Sequence, residues 1–214
     1  VAAAYRNPHV PARVSEGRQG RARELLRSAS GEHDLDTFRA LLRDHFAGGL
    51  AWHPGATPED DHFFTLCAHS DPIHITTASL IAPLPENRAG PWPVWVSFGA
   101  PCSGVFLPVY IDGVIPASLA RGGAVAELDS AWWTFKRLQD EVDADPLRYT
   151  PELRAGWRDF EEQIETDRAG VERAARRAAV SGDRDRAAQL VSDFMAQTVE
   201  DALKLADTLR SHIA

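Results

Sequence analysis

Cys67-Ala68-His69 is the step in this chain whose residue types most directly invite chemistry. On a strand, residues i and i+2 project from one face, so thiol and imidazole would lie side by side, as a nucleophile and its base do. A cysteine in that setting is equally at home as a small buried hydrophobe. The second thiol, Cys102, stands in Pro101-Cys102-Ser103-Gly104, a turn of small residues that could display it or enclose it. His62, His69 and His74 with Asp60, Asp61 and Asp71 could be drawn as a metal cluster. They lack the close helical histidine spacing or paired cysteines of zinc motifs, so neither a metal nor a cofactor is expected. Asp44-His45 reads as charge and capping chemistry at a helix end. Arg88 offers a guanidinium fork that could meet a substrate carboxylate, or serve as a solvent-facing turn residue. Trp92 and Trp95 are candidates to line an apolar pocket, with core packing as the alternative.

The elements that must position these groups are α+β in class, and the chain is expected to be one unit over residues 1–214. Residues 1–14 form an extended arm, since Pro8 and Pro11 fix φ and remove donors. Residues 15–127 are mixed. Of the segment Ser15–Ser28 only the later part is expected to be helical, because Gly17 and Gly20 each cost about 1 kcal/mol against alanine. A helix capped by Asp34 or Asp36 carries Phe38, Leu41, Leu42 and His45/Phe46 toward Gly48-Gly49, and a loop follows through WHPGATPEDD. Strands are expected at Phe63–His69, Ile75–Ala82 and Val94–Phe98, as a small antiparallel meander. Thr76, Ala78, Leu80 and Ala82 share one face of the second strand and Ile75, Thr77, Ser79 and Ile81 the other. Neither face is strongly polar, so the strand should be covered on both.

Residues 128–214 are expected to be helical. One helix, with Asp129 as cap, carries Leu128, Trp132, Phe135, Leu138 and Val142. A second has Pro151 in its first turn and carries Leu153, Trp157, Phe160 and Ile164. A charged stretch breaks near Ser181-Gly182-Asp183, and a final stripe runs through Leu190, Phe194, Val199, Leu203, Ala206 and Leu209.

A formal charge of −8 argues against a sequence-independent nucleic-acid surface, which needs clustered positive charge. Two cysteines in 214 residues do not make a secreted disulfide framework, which points to a reducing, cytoplasmic setting. No run approaches the roughly 20 apolar residues that cross a bilayer, so no membrane partner is expected. The proline-bearing arm and the aromatic residues leave room for further association.

In order and spacing, several segments resemble the C-terminal half of secernin-type dipeptidases, a branch of the N-terminal-nucleophile amide hydrolases. Leu41-Leu42-Arg43-Asp44-His45 is similar to the helix before the family's strands, and Thr76-Thr77-Ala78-Ser79 to its threonine/serine strand. Leu84-Pro85-Glu86-Asn87-Arg88 is similar to a Leu-Pro-Gln-Asn-Arg turn. Ser97 through Pro108 resembles the small-residue turn and Phe-x-Pro step, and Trp132 the late aromatic helix. The match runs from about Ser15 to the C-terminus.

The resemblance implies part of an αββα sandwich and a cysteine amide hydrolase or dipeptidase working through an acyl-cysteine. It also implies Arg88, His69, Thr76, Thr77 and Trp95 as substrate-binding candidates. The family's nucleophile is an N-terminal cysteine, whereas this chain begins Val1-Ala2-Ala3-Ala4. The nucleophile is therefore expected on a separate N-terminal segment or subunit, with this chain supplying oxyanion donors, pocket walls and scaffold. A non-catalytic scaffold or pseudoenzyme subunit, an acyltransferase of the same fold, and a self-sufficient thiol hydrolase using Cys67 or Cys102 stand as alternatives.

Overall fold

The computed structural model describes residues 12–29, 31, 33–46, 57, 59, 63–70, 74–85 and 90–213. Among them run α1 (Ala12–Ser28), α2 (Leu35–Leu42), β1 (His69–Ser70), β2 (His74–Ile75), β3 (Ala78–Ile81), β4 (Pro93–Phe98) and β5 (Leu107–Tyr110). A 3₁₀ turn at Ala117–Leu119 follows, then α3 (Ala131–Ala144), α4 (Pro146–Val180) and α5 (Arg184–Ile213). The class is α+β.

Local chemistry explains most boundaries. Asp34 caps α2 by accepting from the Thr37 amide at 2.8 Å, and Ser130, not Asp129, caps α3 by accepting from the Trp133 amide. Leu128 is exposed and stands outside the apolar stripe of α3. α4 starts at Pro146, five residues before the expected first-turn Pro151, and Asp145 caps it. Pro151 then costs one intrahelical bond beside exposed Leu147, which a helix of 35 residues tolerates. The expected break falls at Ser181-Gly182-Asp183, with Gly182 at φ +88°, the left-handed conformation that ends helices at glycine.

At the N-terminal end, α1 spans all of Ala12–Ser28. Its arginine, glutamate and leucine content outweighs the two glycines, and residues 12–14, expected in an extended arm, are helical instead. The rest of the arm, and most of the WHPGATPEDD loop, lie outside the described residues. α2 ends at Leu42 rather than near Gly48-Gly49, because Arg43 leaves helical geometry and Phe46 takes φ 71°. His45 is thereby released from the helix.

The sheet β3-β4-β5 is an antiparallel meander, one strand later than expected. Residues 63–68 are irregular, and β1 and β2 form a separate two-stranded ladder pairing His69 with Ile75. β5 was hidden by Pro108, which is allowed because β5 is an edge strand. Paired residues share a face. Ser79, Ile81, Trp95 and Ser97 form the inner face and are buried. Trp95 lies beneath the guanidiniums of Arg39 and Arg168, 4.7 and 5.6 Å from its ring centre.

The main core joins Ile81, Trp95, Phe106, Phe135, Leu138 and Trp157 with residues of α4 and α5. A second cluster sets Tyr110 against Val191 and Met195 of α5. The outer face of the sheet carries Ala78, Leu80, Val94, Val96 and Val109. Ala78 and Leu80 are exposed and the three valines half-buried, whereas Leu107, paired with Val96 on this face, is buried; among the described residues, β3 therefore lacks the cover expected on both of its sides. A groove of about 190 Å³ between the sheet and Ile115 and Leu119 runs along it.

Candidate functional site

Four segments meet beside the inner core. The stretch after α2 brings His45, the entry to β1 brings Cys67 and His69, the β4-β5 turn brings Cys102, and α3 brings Gln139 and Asp143. One donor atom from each of His45, Cys67, His69 and Cys102 lies within 4.8 Å of the others, and all four residues are buried.

Backbone bonding explains why they converge. The Cys67 amide donates to the Asp44 carbonyl at 3.2 Å, tying the post-helix turn to the β1 approach. Asp44 is held by a bidentate grip from Arg21, at 3.0 and 2.7 Å. Asp44 thus performs the charge role expected of it, whereas His45 turns inward to the thiols.

The Cys102 turn is pinned from several helices. The Ala100 amide donates to Gln139 Oε1 at 2.8 Å. Trp157 Nε1 donates to the Ser103 carbonyl at 3.0 Å, Arg43 Nε to Pro101 O at 2.9 Å, and Arg154 Nη1 to Gly104 O at 2.8 Å. Two positions require glycine. Gly99 has φ +69°, and a Cβ there would lie 2.7 Å from Gln139 Oε1; a Cβ on Gly104 would lie 2.7 Å from Ser97 Oγ.

Beneath the turn, Glu161 of α4 bridges Arg43 at 2.5 Å and Arg154 at 3.1 Å and accepts the Phe106 amide at 3.1 Å. Burial alone would raise the Glu161 carboxyl; the charges of Arg43, Arg154 and Arg39 outweigh it and hold the group below its ordinary value. The adjoining cleft brings Arg39, Arg43, Arg154 and Arg158 together with Asp36, Glu161, Glu162 and Glu165. Its cations are matched by carboxylates, so it is not a surplus-positive anion site.

Within the cluster, His69 is central. Its Nε2 lies 3.0 Å from Cys102 Sγ and 3.5 Å from Cys67 Sγ, and its Nδ1 lies 2.8 Å from Asp143 Oδ1. Gln139 Nε2 donates to the other Asp143 oxygen at 3.2 Å. Burial would lower the His69 pKa, but the charge of Cys102 and the hydrogen bonds with Asp143 and Cys102 raise it to about 10. Burial likewise drives Cys67 well above the ordinary thiol value, reinforced by Cys102. For Cys102 burial is opposed by Cys67, His69 and His45, and the thiol falls well below that value. The arrangement sets a thiol against an imidazole that a carboxylate holds from behind. Its groups match nucleophile, base and orienting acid in kind. Burial opposes their use on a substrate, because Cys102 is 5% exposed and Cys67 fully enclosed.

The other sequence candidates are placed differently. Trp95 is core, 1% exposed. The Thr76 hydroxyl accepts from the Ala68 amide at 2.9 Å, bracing the strand beside Cys67. Thr77 is exposed and gives its carbonyl to Trp132 Nε1. Arg88, His62, Asp60, Asp61 and Asp71 lie outside the described residues. His69 belongs to a cluster other than the one drawn from His62 and His74. The sequence reading that set metal chemistry aside missed a two-histidine, two-cysteine grouping, because its members are separated by 22, 2 and 33 positions. Gln139 and Asp143 were also missed, although their i, i+4 spacing on a helix puts both on one face.

Comparisons with family models, with curated proteins and with solved structures found no match.

Proposed function

We propose that this chain is the non-nucleophile portion of a secernin-like cysteine amide hydrolase, acting on dipeptides or other small amides through an acyl-cysteine. The observation that supports this reading is the open apolar face of β3-β4-β5. Helices cover one side of the sheet, while Leu80, Val94, Val96 and Val109 line the other. Two sheets stack face to face about 10 Å apart in a layered sandwich, and this face has the composition such stacking needs. In the proposed αββα assembly the covering sheet belongs to a segment bearing an N-terminal cysteine. That cysteine attacks the amide carbonyl while its own α-amino group takes the thiol proton and passes it to the departing amine as the C–N bond breaks; water then hydrolyses the thioester, releasing the acid and restoring the thiol. This chain supplies the packed scaffold and pocket walls. The same fold with an amine in place of water would be an acyltransferase.

A second reading, a thiol hydrolase complete in this chain, is favoured by the Cys102–His69–Asp143 arrangement and disfavoured by its burial. Intact-mass measurement of native material, N-terminal sequencing of any partner, and dipeptide hydrolysis assays separate the two. Activity confined to a complex whose partner starts with cysteine supports the proposal. Activity of the chain alone that disappears in Cys102→Ser supports the second reading. Native material that contains only this chain and hydrolyses no amide overturns both and leaves a scaffold role.

A further inference from the structure

We propose that His45, Cys67, His69 and Cys102 together bind one zinc-class divalent cation in a closed, four-coordinate centre, with Asp143 orienting His69 from outside the ligand shell. The proposal is independent of the amide-hydrolase reading and does not need that reading to hold.

Donor chemistry comes first. Two thiolates and two imidazoles are the set that soft to borderline cations prefer, and a tetrahedral S₂N₂ arrangement is diagnostic of zinc rather than of magnesium or calcium. Geometry agrees. Bond lengths of about 2.3 Å to sulfur and 2.0–2.1 Å to nitrogen put tetrahedral ligand atoms roughly 3.3–3.8 Å apart. Here His69 Nε2 is 3.5 Å from Cys67 Sγ and 3.0 Å from Cys102 Sγ, and all four donors lie within 4.8 Å of one another. Small adjustments suffice to close around an ion.

Three further observations point to a cation. First, His69 presents Nε2 to the thiols while Nδ1 meets the Asp143 carboxylate at 2.8 Å, and Gln139 secures the other carboxylate oxygen. A carboxylate behind a histidine is the usual outer-shell support of a metal ligand. Second, Nε2 of His45 is buried and, among the described residues, has no hydrogen-bond partner, an arrangement that ordinarily costs stability and that a metal bond would relieve. Third, both cysteines are free and buried side by side, and a divalent cation would displace their protons and neutralise two charges that would be costly to bury alone. The enclosure that argues against a nucleophile suits a structural centre, which has four protein ligands and no open position.

Such a centre would join the turn after α2, the β1 approach, the β4-β5 turn and, through Asp143, α3. The ion would thus tie together segments with little regular structure of their own.

The test uses the intact chain. After exhaustive dialysis, elemental analysis is expected to find about one zinc per chain. Cobalt(II) added to metal-free protein is expected to give the intense visible bands of a tetrahedral site and a thiolate-to-cobalt charge-transfer band. Cys67→Ser and Cys102→Ser should each weaken the charge-transfer band, while His33→Ala, an exposed residue outside the cluster, should leave it unchanged. Asp143→Asn keeps all four ligands, and is expected to lower zinc affinity about 10–100-fold without abolishing the cobalt spectrum. If the serine variants fail to fold, the wild-type spectrum and the Asp143→Asn affinity decide the matter. Folded wild-type protein that retains no zinc and gives only the weak bands of octahedral cobalt overturns the proposal. So does a charge-transfer band that survives loss of both cysteines.

Discussion

Replacing Glu161 with alanine should be among the most damaging single changes in the molecule, and its cost can be worked from the contacts. The Glu161 side chain is 8% exposed, and Arg43 and Arg154, its partners, are 16% and 19% exposed. Removing the carboxylate leaves two largely buried guanidiniums with their principal counter-charge gone. Breaking a buried pair in this way costs about 3–5 kcal/mol, and the Phe106 amide loses its acceptor, worth about 1 kcal/mol more. In a domain of this size each kcal/mol moves the melting temperature by about 2–4 °C. The pair alone therefore predicts a fall of roughly 6–20 °C.

The same change loosens Pro101–Phe106, so Cys102 should react faster with a thiol reagent under native conditions, whereas in the wild type both thiols are expected to react slowly until the chain unfolds. Thermal unfolding by circular dichroism and timed thiol labelling read the two effects. A double-mutant cycle with Arg43→Met should show coupling of about 0.5–3 kcal/mol. If Glu161→Ala melts within about 2 °C of the wild type with Cys102 still protected, then the carboxylate does not hold the turn and the reasoning fails.

Other expectations follow from the same contacts. Because Arg43 and Arg154 keep the native Glu161 carboxyl below its ordinary value, its stabilising contribution is complete above the unfolded carboxylate value of about 4.3. It is lost as pH falls through the lower native value, so acid titration of Glu161→Gln should lack that component of destabilisation. Gly104→Ala places a Cβ against Ser97 Oγ and the Phe98 carbonyl and should cost about 1–3 kcal/mol in chemical denaturation; an unchanged midpoint would mean the turn can shift. Trp157→Phe removes the donor to the Ser103 carbonyl, with an expected loss of about 1–3 kcal/mol by the same measurement. Leu80→Lys lies on the open sheet face at 61% exposure and should change the chain's own stability by no more than about 0.5 kcal/mol. It should nonetheless weaken association with the proposed covering segment in a binding titration, and equal binding by both forms would count against that face as the seam.

What the sequence determined by itself was mostly local. Phe135, Leu138 and Val142, then Leu153, Trp157 and Ile164, recur at helical spacing and are buried along α3 and α4, since periodicity records which face a helix must hide. Ser181-Gly182-Asp183 announced the break between α4 and α5 because glycine adopts φ +88° at little cost. The α+β class and the antiparallel meander were legible for the same reason. Strand identity was less so. Pro108 concealed β5, because the tolerance of an edge strand for proline depends on which neighbours the strand has. Residues 63–68 have the β-branched and aromatic content of a strand, yet the Cys67 amide bonds to the Asp44 carbonyl and the Ala68 amide to the Thr76 side chain.

The candidate site was decided almost wholly by tertiary structure. Cys67 and His69 could be paired from their spacing. Cys102 arrives from 33 positions away and Asp143 from a helix 74 positions beyond His69. His45 joins them only because α2 ends at Leu42 instead of continuing. No sequence period encodes those meetings. They follow from a turn between two strands being clamped by Gln139, Trp157, Arg154 and Glu161, and from the low dielectric around them, where a buried thiol or imidazole must find a partner of suitable charge.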